Sequence, residues 1–337
     1  MYKVNKLFTM PTPSLDLQRL ERYDENTTEY PLAIITDEDK ASQITLEDGQ
    51  TAWRSTIRYD RLIRSEAGGQ VRYRVEEPRE SSEGVAQLIS IIAEGSRGAE
   101  FSELALMDRH LLTFDDRTGL VCELRHGQQL VPRQIMMTGS GDEAFKGFKC
   151  EWATLKDDIM YVGSHGRPKT EGGKAVTGPL EWVKLLDADY RLRSLNWHAY
   201  YTALRDAVGI DSAQGYLTHE AAEWHPYRQQ WIFFPRKVSF EPFDEAKDER
   251  ERGGNLMLFA NEDFTQIELK EVGERVPERG VSSFKVIPGR PNECIGLKSV
   301  EIDDKTETYA FAFNLEGEVL GEDVYLGPYK CEGIEIL

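Results

Sequence analysis

The sequence predicts an all-β fold: a five-bladed β-propeller in which strands from the N- and C-terminal regions close one blade, with one surface helix. Three observations carry this. Short apolar strands separated by turn signals fill most of the 337 residues. One strand-pair pattern recurs four times behind a polar leading residue. A fifth copy begins near the C-terminus and stops after a single strand.

In chain order, the strands read as PLAIITDED (31–39), LALM with HLLTFDD, EWATL with DIMYVG, QQWIFFP, NLMLFA with QIELKEV, SSFKVIP with ECIGLKS, YAFAFN and GIEIL. The Asp157-Asp158 break between the second pair reads as a tight turn. SLNWHAYYTALRDAVG differs, because Trp197, Tyr200, Tyr201, Leu204 and Val208 recur at helical spacing. Ser194 or Asn196 supplies its start signal and Gly209 its stop. FDEAKDERERGG (243–254) reads as a solvated charge run, a long surface connection. No low-complexity linker divides the chain, so residues 30–337 are expected to form one domain after an N-terminal extension, 1–29.

The four strand pairs are led by Ser102, Glu151, Glu220 and Ser282, and the unfinished fifth copy by Glu332. The spacings between leaders are 49, 69, 62 and 50 residues, which suits five blades. The strand missing from the fifth copy is expected from PLAIITDED, so the two ends of the chain share a blade.

In such a ring the first strand of each blade lines a central channel, so the five leaders converge on one axis. Glu151 makes the consequence plain: it lies between Cys150 and Trp152 in a strand that otherwise reads as packed. Alternation sends its neighbours into the packing between blades and Glu151 into the channel. The three carboxylates, gathered with two hydroxyls around one axis, cannot all stay ionised without a cation. With no His or Cys among the leaders, hard oxygen donors point to Ca2+.

Second strands run antiparallel to the first, so their ends lie on the same face as the leaders. Those ends carry Asp37 and Asp39; Asp115, Asp116 and Arg117; Ser164 and His165; Arg236 and Lys237; and Lys298. Acids on one wall, bases on the other and a metal beneath suit a phosphate ester or anhydride. The plainer readings are solvated strand-end charges and a purely structural channel ion.

Composition removes other classes. A formal charge of −18 disfavours nucleic acid and anionic membranes as partners. No run of about 18 apolar residues reads as a transmembrane helix. The N-terminal MYKVNKLFTMPTPSLDLQRL shows no apolar leader, which leaves an intracellular protein or one lacking its targeting segment. Cys122, Cys150, Cys294 and Cys331 form no CxxC, and read as buried thiols or, in a secreted chain, one disulfide. Asn26-Thr27-Thr28 is a sequon that carries little alone. His219-Glu220 lacks the second His of HExxH, because position 223 is Glu. TGSGDEAFKG (138–147) lacks GK[ST], so it reads as a surface turn in place of a P-loop. Trp53, Trp182 and Trp197 are candidates to stack a base, with packing as the plainer role.

These residues resemble the soluble calcium-activated nucleotidase family of apyrases. The matching motifs are DDRTG (115–119), KGFKCEW (146–152), EWVK (181–184), the NW…ALR helix (196–205), GYLTHEAAEW (215–224), FPRK (234–237), SSFKVIPG (282–289) and YKCEGIEIL (329–337). The resemblance runs from about residue 30 to the C-terminus. It implies a Ca2+-dependent five-bladed hydrolase of nucleoside diphosphates (the UDP, GDP and ADP class) and, in some members, triphosphates. By the same resemblance the metal positions match Ser102, Glu103, Glu151, Glu220, Ser282 and Glu332. The catalytic acid and phosphate-binding arginine match Asp116 and Arg236, with Asp37 or Asp39 assisting. Substrate contacts are expected from Lys298, Lys237, Arg117 and Trp182. A secreted or secretory-lumen location and a weak homodimer follow from the resemblance alone, and the loop 164–180 departs from the family pattern. The competing readings are a binding propeller with a structural Ca2+ and a calcium-dependent esterase or lactonase.

Overall fold

The computed structural model describes residues 21–24, 26–77, 84–142, 146–171, 174–303 and 305–337. Part of the predicted extension 1–29 and parts of the segments 138–147 and 164–180 lie outside the described residues.

Four blades are sequential antiparallel sheets of four strands. Blade one runs Phe101–Met107, His110–Asp115, Leu120–Arg125 and Gln129–Ile135. Blade two uses Trp152–Lys156, Ile159–Gly163, Trp182–Leu186 and Leu192–Asn196. Blade three uses Ala222–His225, Gln230–Phe233, Leu256–Asn261 and Ile267–Glu271. Blade four uses Gly280–Val286, Glu293–Ile302, Lys305–Asn314 and Val324–Gly327. The fifth blade is the expected composite: Cys331–Ile336 pairs with Thr27–Thr36, with Leu32 opposite Ile336 and Thr36 opposite Cys331. Thr51–Ala67 continues that sheet and carries Val85–Ser90 at its outer edge.

Ring closure is visible in the inner strands. Phe101–Met107 contacts Trp152–Lys156, which contacts Ala222–His225, then Gly280–Val286, then Cys331–Ile336, which returns to Phe101–Met107. The inner hairpins of blades one and two are tight because two successive residues adopt positive φ, Asp108 (46°) with Arg109 (66°) and Asp157 (52°) with Asp158 (61°). That backbone matches the twist of the flanking strands.

The core is divided among the blade junctions, with a cluster of buried apolar side chains between each pair of neighbours. The junction of blades two and three is the most aromatic, with Trp152, Trp197, Trp224, Trp231 and Phe233 in mutual contact. A Cβ at Gly163 would lie 2.0 Å from the Trp152 ring, so the indole is seated only because that position is bare. Cys150 joins the packing between blades one and two, while Trp152 faces blade three. All four cysteines are buried free thiols.

The predicted helix is α1, His198–Val208, closed by Gly209 at φ 81° and packed into the same aromatic cluster through Trp197, Tyr201 and Leu204. Asn196 Oδ1 accepts from the His198 N–H at 2.9 Å, so Asn196 is the start signal that operates. The charge run departs from its expected form. It holds a second short helix, α2 (Glu245–Glu251), in which Asp244 Oδ1 accepts from the Lys247 N–H at 3.1 Å. This connection leans over the channel mouth, where Asp248 and Glu249 wall the cavity described next.

Candidate active site

Glu151, Glu220 and Glu332 line one cavity of about 190 Å3 at the channel opening, although their carboxylate oxygens are not among those that all lie within 4.8 Å of one another. Each sits just before or at the start of an inner strand, so the converging blades bring them together. Burial, opposed by Lys149, and the nearby Glu220 raise the Glu151 carboxyl to about 8. Burial, opposed by Lys330, and Glu220 raise Glu332 to about 7. Ser102 and Ser282 are buried in blades one and four. The Ser102 hydroxyl has no hydrogen-bond partner among the described residues, and that of Ser282 donates to the Cys331 carbonyl at 3.0 Å. Oxygen donors alone, three of them mutually repelling carboxylates and one an orphaned hydroxyl, fit a hard divalent cation.

Glu103 does not join them. Its side chain points along the channel away from the cavity, accepting from the Ser283 hydroxyl at 3.0 Å and from its neighbour Leu104 N–H at 2.8 Å. Lys285 lies 3.5 Å from it, inside a lower tier that also contains Glu223 and Glu335. A register shift between Phe101 and Glu103 lets consecutive residues both serve the channel at different depths.

Of the acids expected on blades five and one, Asp116 lines the cavity, while Asp37 and Asp39 lie outside its lining. Asp116 is partly buried in the cavity wall and paired with Lys149 Nζ at 2.5 Å. Burial pushes its carboxyl up, but Lys149, Lys330 and Arg97 outweigh that and hold it below its ordinary range. Asp37 is fully buried beside Lys330 at 2.7 Å, and burial dominates, raising it well above the usual value. Asp39 contacts Lys330 at 3.1 Å and Arg97 at 2.9 Å. Oxygens of Asp37, Asp39 and Glu100 lie within 4.8 Å of one another, but Lys330 and Arg97 already neutralise that group.

Arg236 forms the opposite wall. Buried, it donates to Glu220, to Glu301 and, at 3.2 Å, to Glu332. Those carboxylates overcome desolvation and raise its pKa. Gly280 makes room for it: a Cβ there would lie 2.3 Å from Arg236 Cγ. Lys237 also lines the cavity, donating to the Asp248 carbonyl at 2.8 Å. Burial, reinforced by Arg236, lowers it to about 8.

Three expected substrate contacts lie elsewhere. Lys298 is opposite Val281 and pairs with Asp323 at 3.1 Å. The blade-four strand Glu293–Ile302 runs four residues past it, so Glu301 occupies the wall where a base was expected. Arg117 pairs with Glu94 at 3.5 Å, outside the cavity lining. Trp182 is half-buried against the junction of blades one and two. Ser164 and His165 are buried, and the Ser164 carbonyl accepts from Tyr201 at 2.9 Å.

The structure adds cations that the sequence reading missed. Lys149 bridges Asp116 and Glu151 (2.6 Å), and Lys330 bridges Asp37 and Glu332 (3.1 Å). Each stands two residues before a leader, in the repeated tripeptide KCE. Residues two apart on a strand share a face, so extending the repeat by two positions would have found both. The lining holds seven carboxylates, Asp116, Glu151, Glu220, Asp248, Glu249, Glu301 and Glu332, against five cations, Lys149, Arg167, Arg236, Lys237 and Lys330.

Comparison with known proteins gives the same direction. The family model described as Apyrase matches residues 38–337. Soluble calcium-activated nucleotidase 1 of Rattus norvegicus is 38% identical over 310 residues, 91% of this chain and 74% of that one. An apyrase of Cimex lectularius is 36% identical over 91% of this chain and 82% of that one. Apyrase apy-1 of Caenorhabditis elegans is 34% identical over 95% and 87% respectively.

Proposed function

This chain belongs to the apyrase family, and on that premise we propose that it hydrolyses nucleoside diphosphates, and triphosphates to a lesser extent, with Ca2+ as cofactor. Family membership makes it an enzyme that hydrolyses nucleotide phosphates; the metal and the diphosphate preference are our reading. The observation that carries it is a single cavity lined by Glu151, Glu220 and Glu332 together with Asp116 and Arg236.

Glu151, Glu220 and Glu332, with oxygens of Ser102 and Ser282, would hold the cation. Bound there, Ca2+ neutralises phosphate oxygens and offsets charge on the leaving group. The protein's own groups do the rest. Arg236, Lys149 and Lys330 are positioned to receive phosphate oxygens and to stabilise charge that builds on them. Asp116, held ionised by its lysine, orients the attacking water in line with the terminal phosphorus and accepts its proton. Asp37 lies outside the cavity lining and pairs with Lys330 at 2.7 Å, so its part is to fix that lysine. Products are phosphate and the nucleotide shortened by one phosphate. A secretory-lumen or extracellular site of action agrees with the need for a hard divalent cofactor, and among the described residues no helix is long and apolar enough to cross a membrane.

A nucleotide panel with Ca2+, with Mg2+ and with EDTA tests this. Phosphate release from UDP, GDP and ADP that requires Ca2+ is the expected result. Equal release in EDTA would remove the metal from the proposal, and lactone hydrolysis without phosphate release would replace it.

A further inference from the structure

The cavity accounts for phosphates but not for a base. Every lining side chain is charged except Thr218, and a nucleobase presents two apolar faces. The tryptophans considered from the sequence lie elsewhere. Trp53 is buried with its Nε1 donating to the Ser96 carbonyl, Trp197 is buried in the aromatic cluster, and Trp182 packs between blades.

The blade-three rim of the cavity supplies what is missing. Arg167, a lining residue, has its guanidinium 4.6 Å from the Tyr216 ring centre and 4.8 Å from that of Phe243. It is pinned there, because Nε donates to Thr218 Oγ1 at 2.9 Å and Nη2 reaches Asp248 Oδ2 at 3.5 Å. Asp248 in turn accepts from the Tyr216 hydroxyl. Tyr216 is buried, whereas Phe243 remains 56% exposed although Arg167 and Tyr216 contact it. A phenyl ring fixed from behind and open in front, one guanidinium away from a phosphate cavity, is a stacking surface.

The geometry points to Phe243, backed by Arg167 and Tyr216, as the platform on which the substrate's nucleobase stacks. This rests on the nucleotidase reading and deepens it. Stacking reads the π-face that every base has, so the platform selects nucleotides over base-free diphosphates while tolerating different bases. Purines, with the larger face, bind more tightly than pyrimidines. Sequence reading could not find the site, because Phe243 lies in a segment that reads as solvated charge.

The test is calorimetric titration, in Ca2+, of the parent protein and its variants with α,β-methylene-ADP and with methylenebisphosphonate, which carries the two phosphorus groups without a base. Phe243→Ala should bind the nucleotide about tenfold more weakly, the scale of one lost base–aromatic stack, and methylenebisphosphonate as before. In turnover, KM should rise about tenfold with kcat nearly unchanged, the signature of lost uniform binding. Phe243→Trp should restore affinity. Tyr227→Ala, which removes an 82% exposed ring at the opposite channel mouth, should change neither ligand. The platform is overturned if Phe243→Ala binds the nucleotide like the parent, or weakens both ligands alike. Phe243-dependent binding without any nucleotide hydrolysis would instead uphold the platform and remove the enzymatic reading.

Discussion

Two tiers of the same channel, stacked one above the other, each gather three glutamates and yet do different things. The upper tier is Glu151, Glu220 and Glu332 from blades two, three and five. The lower is Glu103, Glu223 and Glu335 from blades one, three and five. In the lower tier a buried cation from blade four, Lys285, lies 2.8 Å from Glu223 and 3.5 Å from Glu103. The remaining oxygens accept from Ser283, Thr154 and the N–H groups of Leu104 and Leu106. That group is internally satisfied. In the upper tier the cations are shared: Lys149 and Lys330 also serve Asp116 and Asp37, and Arg236 also serves Glu301. The lower tier also borders a cavity, of about 410 Å3, but its carboxylates are satisfied by their own lysine, whereas the upper carboxylates share their cations with other acids and leave room for a divalent ion and an anionic substrate.

The largest expected effect comes from Arg236→Ala, which should lower turnover by about 10²–10³, the scale of losing one preorganised charge stabiliser. Burial adds a second consequence. Glu220, Glu301 and Glu332 lose their common partner, so the calcium-free variant should also lose about 3–5 kcal/mol of stability, recovered in part by Ca2+. UDP and ADP hydrolysis at the parent rate would sink the assignment.

Lys285→Met sharpens the contrast from below. It strands buried carboxylates, so stability should fall by about 3–5 kcal/mol by urea titration, with kcat of the folded fraction within about twofold of the parent. A loss of turnover as deep as that of Arg236→Ala would mean that the tiers are one site.

Acidity separates the tiers next. Glu332 and Glu335 are both raised to about 7 by burial, from 4.5. Each keeps its proton in the folded state at a pH where the unfolded chain has lost it. The unfolded chain therefore binds fewer protons, and stability falls as pH rises from about 4.5 to about 7. Ca2+ should flatten the upper-tier share of that slope in urea unfolding followed from pH 5 to 8. Glu335→Gln should remove a share that Ca2+ leaves in place. A slope indifferent to Ca2+ would argue against metal binding at the cavity.

The smallest effect is expected from Lys298→Ala. Its ammonium is committed to Asp323 and faces no cavity residue, so kcat/KM should stay within about twofold. A larger loss would bring blade four's cation back into the mechanism.

The amino-acid order alone determined the ring of five blades, the shared terminal blade, and the gathering of Glu151, Glu220, Glu332, Asp116 and Arg236 around one cavity. These follow from strand alternation and from a repeat, both local and periodic, so they survive in a linear text. What only the folded chain decided is depth, register and reach. A register shift sent Glu103 to the lower tier, and a long strand put Glu301 where a base was expected. A charged connection folded back to bring Asp248 and Glu249 into the cavity lining and Phe243 against Arg167. Each depends on how far a strand runs or where a loop lands, quantities set by contacts between residues distant in sequence, so local pattern carries no trace of them.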